Sequence, residues 1–115
     1  MSVLVLVDDL VFQEKIRTAA SAAAIPVEMV SHIDAWTQGL KQTQPTLLVA
    51  DLNATHADPL EAIRLAKRHA PTVPMIAYCA HVQHQLQEQA RHAGCTQVLP
   101  RSVFVQRLPE LLGGR

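Results

Sequence analysis

Glycine is scarce in this chain of 115 residues, which has only Gly39, Gly94, Gly113 and Gly114. None of them follows the first apolar run, so there is no glycine-rich loop to cradle the phosphates of a nucleotide. An excess of charge of one sign is also missing. Ten basic and ten acidic residues cancel, which leaves no electrostatic footprint for nucleic acid or an anionic membrane surface. No apolar run approaches the length needed to span a bilayer. Met1 to Val7 has neither a basic region nor a small-residue cleavage site, so it does not read as a signal peptide, and a cytoplasmic location is expected.

Cysteine is limited to Cys79 and Cys95. The first falls near the end of one expected strand and the second just before the next. In parallel neighbours those ends lie on opposite edges of the sheet, roughly 15 Å apart for strands of about five residues. That is too far for a disulfide, and both read as reduced, buried thiols. Six histidines are present. His81 and His84 share one helical face and His92 follows two turns on, but no cysteine or acid completes a ligand set at usual spacing. They read as solvated surface residues. No Ser-His-Asp or Cys-His arrangement is visible by spacing either.

What the chain does have is a regular alternation of strand and helix signals, and residues 1–115 read as a single domain. Val3–Val7 is an unbroken apolar run that stops at Asp8-Asp9, and Leu47–Ala50 is another that stops at Asp51. Short aliphatic runs of this kind read as strands buried on both faces of a parallel sheet. Further strands are expected at Val27–Val30, Met75–Cys79 and Val98-Leu99. Between them, Val11–Ala24 is helical. A second helix has Ser31 as its N-cap and Ile33, Trp36 and Leu40 on its buried face. A third opens at Asp58-Pro59, a cap followed by proline at the first helical position. The fourth carries Val82, Leu86, Ala90 and Ala93 and stops at Gly94. The last is capped by Ser102 and ends near Leu112, with Pro109 expected to kink or restart it. Short loops between such elements predict a five-stranded parallel sheet with right-handed crossovers and helices on both faces. Five strands favour the flavodoxin-like order 2-1-3-4-5, in which strands one and three are neighbours. Asp8, Asp9 and Asp51 would then meet at the switch point, as a hard-cation site or as a nucleophile beside one. The same acids could instead cap helices or bind loop amides.

Over nearly its whole length the chain resembles the receiver domain of two-component response regulators. The resemblance rests on the acidic pair Asp8-Asp9, on Asp51 at the phosphoacceptor position, on the strand-four stretch Val-Pro-Met-Ile-Ala-Tyr-Cys-Ala-His at 73–81, and on Ala-Gly-Cys-Thr-Gln-Val-Leu-Pro-Arg-Ser at 93–102. It implies a phosphorelay signalling domain, not an enzyme. Asp51 would accept the phosphoryl group, with Mg²⁺ held by Asp8 or Asp9, Asp51 and the backbone carbonyl of Asn53. The implied partners are a histidine kinase or phosphotransfer protein, or a downstream protein. The implied surface for a partner or a homodimer is helix four, strand five and the last helix, with His81, His84, Leu86, Phe104, Val105 and Leu108.

The chain departs from that pattern in the half of the site that responds to phosphate. Cys79 stands in place of the family Ser or Thr, and a thiol is a weak donor. Arg101 stands in place of the family Lys, with a longer, planar head. Ser102 replaces the proline that follows, so the Arg101–Ser102 bond should be trans. Val98 takes the place of the switch aromatic, and Ala54-Thr55 that of a hydrophobic residue and proline. Arg101 could therefore sense a phosphoryl group or act as a fixed counter-ion to Asp51. Cys79 could be a redox-sensing thiol or a small core residue, and Trp36 reads as a core anchor. The alternative reading is a phosphate-independent pseudo-receiver that only binds partners.

Overall fold

The computed structural model describes residues 2–80 and 83–113. Five strands and five helices alternate: β1 (Val3–Leu6), α1 (Leu10–Ala22), β2 (Val27–Val30), α2 (Ile33–Gln42), β3 (Leu47–Asp51), α3 (Pro59–His69), β4 (Met75–Cys79), α4 (His84–Ala93), β5 (Gln97–Pro100) and α5 (Arg101–Gly113). All neighbours are parallel, in the order β2-β1-β3-β4-β5. This is the expected sheet, and β1 and β3 are adjacent at its centre.

The strand pleat divides the core in two. Leu4, Leu6, Leu48, Ala50, Met75, Ala77 and Cys79 face one side, where α2, α3 and α4 contribute Trp36, Leu40, Ala62, Ile63 and Ala90. Val3, Val5, Val7, Leu47, Val49, Ile76 and Tyr78 face the other, against Phe12, Ile16 and Ala20 of α1 and Phe104, Leu108 and Leu112 of α5. Burial on both faces is why these strands read as continuous apolar runs without alternation. Trp36 is fully buried, and its indole N–H donates to the Ala62 carbonyl at 2.9 Å, joining α2 to α3. Asp58 caps α3 by accepting the amides of Leu60 and Glu61, with Pro59 at the first helical position as expected. Gly94 ends α4 at φ 127°, a backbone conformation that a Cβ would strain.

Three local expectations are corrected. His32, not Ser31, occupies the N-cap of α2, and it makes no side-chain cap hydrogen bond. Ser102 lies inside α5, because the helix starts at Arg101, directly after β5, and leaves no capping residue between the two elements. Pro109 lies inside α5, so of the two expectations, a kink or a restart, the restart is the one overturned. It sits on the exposed side of the helix, where water can reach the carbonyl that loses its donor one turn back. The expected contribution of Val82 to helix four lies outside the described residues, as does the pairing of His81 with His84.

Candidate phosphoacceptor site

The carboxyl ends of β1, β3 and β5 bring the predicted charged residues to one edge of the sheet, but each acid has a different task there. Asp9 is the N-cap of α1, accepting the amides of Val11 at 2.9 Å and Phe12 at 3.2 Å. Asp8 turns to the loop after β3. Its Oδ2 accepts the amides of Thr55 at 2.8 Å and His56 at 3.0 Å and the Thr55 hydroxyl at 3.3 Å, with His56 Nδ1 3.5 Å away. Burial works to raise the Asp8 pKa. The amides, the nearby imidazole and the hydroxyl outweigh it, and the net displacement is downward.

Asp51, the last residue of β3, is buried with 1% of its surface exposed. Its Oδ1 accepts the Asn53 amide at 2.8 Å, and its Oδ2 lies 3.8 Å from Arg101 Nη2. Desolvation pushes its pKa up. The Asn53 amide and the Arg101 guanidinium oppose this, while the charges of Asp8 and Asp9 add to it, and the net displacement is upward. The Asn53 side chain makes contacts that the sequence did not suggest. Its side-chain oxygen accepts the Ala80 amide at 2.6 Å and its amide group donates to Gln83 Oε1 at 3.1 Å, tying the loop after β3 to the end of β4.

Cys79 lies elsewhere. It is fully buried in the core on the α2–α3–α4 side of the sheet, where Gln87 Nε2 of α4 reaches its Sγ at 3.5 Å. The residue before it, Tyr78, which pairs with Asp51, faces the α1–α5 side. Phe12 stacks on Tyr78 at 4.7 Å between ring centroids, Tyr78 stacks on Phe104 at 4.5 Å, and the Arg101 guanidinium lies 4.9 Å from the centre of the Phe12 ring. This aromatic stack was not legible in the sequence, since nothing in the spacing of Phe12, Tyr78 and Phe104 marks them as neighbours. His56 was missed as well. It stacks on His32 at 5.6 Å, at the mouth of the acidic edge.

Among the described residues, no three His, Cys, Asp or Glu side chains are arranged to hold a metal ion. The donor chemistry nevertheless fits a hard divalent cation. The hydrogen bonds above use Oδ2 of Asp8, Oδ1 of Asp9 and Oδ1 of Asp51, which leaves a second oxygen on each, and the mutual repulsion of these acids is part of what raises the Asp51 pKa. Among the described residues no peptide bond is cis, so Arg101–Ser102 is trans as expected.

On the expected partner surface, Phe104 and Leu108 belong to the core, not to the outside. Among the described residues, the exposed large hydrophobics are Leu10 and Val11, at the start of α1. They border an apolar groove of about 760 Å³ between α1 and α5, lined also by Ala19, Val105, Leu108 and Pro109. No helix among the described residues is long and apolar enough to cross a membrane.

No family model matches the chain, and no curated relative does. Solved structures do. A CheY-like response regulator receiver domain from Methanospirillum hungatei JF-1 is 14% identical, with a TM-score of 0.86 over 98% of this chain and 90% of that one. A putative response regulator from Chloroflexus aurantiacus J-10-fl is 18% identical, with a TM-score of 0.83 over 99% and 98%. A response regulator protein from Burkholderia pseudomallei, solved with a phosphorylated aspartic acid, a calcium ion and citrate, is 16% identical, with a TM-score of 0.85 over 96% of this chain and 65% of that one. At such identities the likeness is one of fold. The chain has the flavodoxin-like α/β fold of response regulator receiver domains.

Proposed function

We propose that this chain is a receiver-like signalling domain in which Asp51 accepts a phosphoryl group from a histidine kinase or phosphotransfer protein and the change is read by protein–protein contact. The observation that carries this reading is the placement of Asp51. It is a buried carboxylate at the end of the central strand β3, with Asp8 and Asp9 beside it at the end of β1 and Arg101 facing it from the end of β5. Open α/β sheets bind ligands at this switch point.

In the proposed step, an oxygen of Asp51 attacks phosphorus and forms an O–P bond. The P–N bond to the donor imidazole breaks, and its electron pair stays on the nitrogen, which takes up a proton. The attack needs the ionised carboxylate, and the Asn53 amide and the Arg101 guanidinium favour that form against burial. Mg²⁺, held by Asp8, Asp9, Asp51 and the Asn53 carbonyl, would supply charge neutralisation for the incoming group. Cys79, in the opposite core, has no part in this reading.

The test is phosphorylation by a small acyl-phosphate donor with Mg²⁺, read by intact mass. Gain of one phosphoryl group that Asp51→Asn abolishes supports the proposal. No gain, together with no Mg²⁺-dependent amide shifts at Asp8, Asp9 and Asn53, refutes it. One observation favours a second reading, a phosphate-independent interaction domain. Arg101 already faces Asp51 at ion-pair distance, and Asp8 is already satisfied by Thr55 and His56. Partner binding unchanged by Asp51→Asn would mark that case.

A further inference from the structure

Arg101 stands between two partners and is locked to neither. Its 3.8 Å approach to Asp51 is an ion-pair distance, too long for a hydrogen bond. On its other side the guanidinium rests on the face of Phe12, a cation–π contact. Its Nε is buried without a hydrogen-bond partner among the described residues. An arginine serving as a fixed tie would set its fork bidentately on the carboxylate. This one is held by charge on one side and by a ring on the other, with 31% of its side chain exposed, so a small change in either partner can move it.

Phe12 heads the stack that continues through Tyr78 to Phe104. The stack joins α1, β4 and α5, and Tyr78 is the register neighbour of Asp51. Phe12 also sits in the first turn of α1, next to Leu10 and Val11, which border the apolar groove facing α5.

We infer that Arg101 couples the charge on Asp51 to the α1–α5 face through Phe12. Added negative charge at Asp51 draws the guanidinium off the ring, because Coulomb attraction to a more highly charged group exceeds a single cation–π contact. Loss of charge at Asp51 lets the guanidinium settle on the ring. Either movement changes the packing under the first turn of α1, so the α1–α5 face reports the state of Asp51. The inference rests on the proposed function only for its natural trigger. The coupling itself needs no more than a change of charge at Asp51.

Nuclear magnetic resonance on the full chain tests it. The Arg101 side-chain protons carry the ring-current shift of Phe12. In Asp51→Asn that shift grows, and the Leu10–Phe12 amides and the Leu10 and Val11 methyls move. Beryllofluoride, added to the wild type already in Mg²⁺ and compared with Mg²⁺ alone, adds negative charge at Asp51 and moves the same signals the opposite way. Arg101→Met keeps an unbranched apolar stem but removes the guanidinium and its charge, and should abolish the α1 response to Asp51→Asn. Phe12→Leu should do the same from the other side. An α1 response that persists at full size in Asp51→Asn/Arg101→Met overturns the coupling, as does an Asp51→Asn spectrum in which β3 shifts and α1 does not. If Asp51→Asn moves α1 through Arg101 while beryllofluoride moves nothing, the coupling stands and the phosphoacceptor proposal fails.

Discussion

Asp8 Oδ2 accepts the Thr55 amide at 2.8 Å, which ties the end of β1 to the loop after β3. This bond sets Asp8 apart from Asp51, one strand away. Asp8 is stabilised as an anion by amides, whereas burial makes the anion costly at Asp51.

The two acids should therefore respond to pH with opposite sign. The Asp51 pKa is raised in the folded state, so the native protein holds a proton that the unfolded chain has released. Stability falls as pH rises from the ordinary Asp value through the raised one. Asp51→Asn removes the buried anion and should stabilise the domain at neutral pH by on the order of 1 kcal/mol, as substitutions at functionally strained sites often do. That gain should vanish in acid. The Asp8 pKa is lowered, so its contribution is present above the ordinary Asp value and is lost as pH falls through the lowered one. Asp8→Asn should destabilise at neutral pH by about 1 kcal/mol, and this loss should also shrink in acid. Urea denaturation at neutral and acid pH reads both.

Trp36→Phe tests the joint between α2 and α3. It deletes the indole donor to the Ala62 carbonyl, inside a site with no solvent exposure. The Ala62 carbonyl keeps its helical partner within α3, so the lost side-chain hydrogen bond costs about 1 kcal/mol, and the smaller ring leaves unfilled volume. A loss of at least about 2 kcal/mol in chemical denaturation is expected.

Gly39→Ala pits helix propensity against packing. Alanine in the interior of α2 gains about 1 kcal/mol over glycine. Its Cβ, however, would lie 2.8 Å from a methyl group of the fully buried Leu4. Overpacking of this kind costs about 1–3 kcal/mol, so packing wins, and thermal unfolding should show a net loss of about 1 kcal/mol.

Neither thiol should behave as a reactive cysteine. Burial pushes the Cys95 pKa up to about 12 against the opposing charge of Lys67, and Cys79 has no exposed surface. Titration with a chromogenic disulfide should be slow for both thiols in the native protein and rapid in denaturant. A fast native phase would show that one of them is solvent-accessible.

Much of this architecture could be read from contiguous residues. The apolar runs ending in Asp8-Asp9 and Asp51, the Asp58-Pro59 helix start and the Gly94 stop each depend on neighbours within a few positions. The fold therefore came through with its order and most of its boundaries. The misreadings arose where an element depends on what it adjoins. Ser31 and Ser102 look like caps in isolation. His32 takes the first cap position, and α5 follows β5 so directly that the second has no room.

The sequence by itself determined that Asp8, Asp9 and Asp51 would share one edge of the sheet, because strand burial and connection handedness follow from local pattern. Only the tertiary structure decided what each of them does there. Asp8 binds the Thr55 loop, Asp9 caps α1, and Asp51 faces Arg101. The side of the sheet a residue occupies follows from the pleat, which sent Cys79 into one core and Tyr78 into the other. The position of the Arg101 guanidinium, between Asp51 and the Phe12 ring, depends on α1, β3 and α5 meeting in space. Residues so far apart in the chain leave no periodic signal of their contact, and only the packed core brings them together.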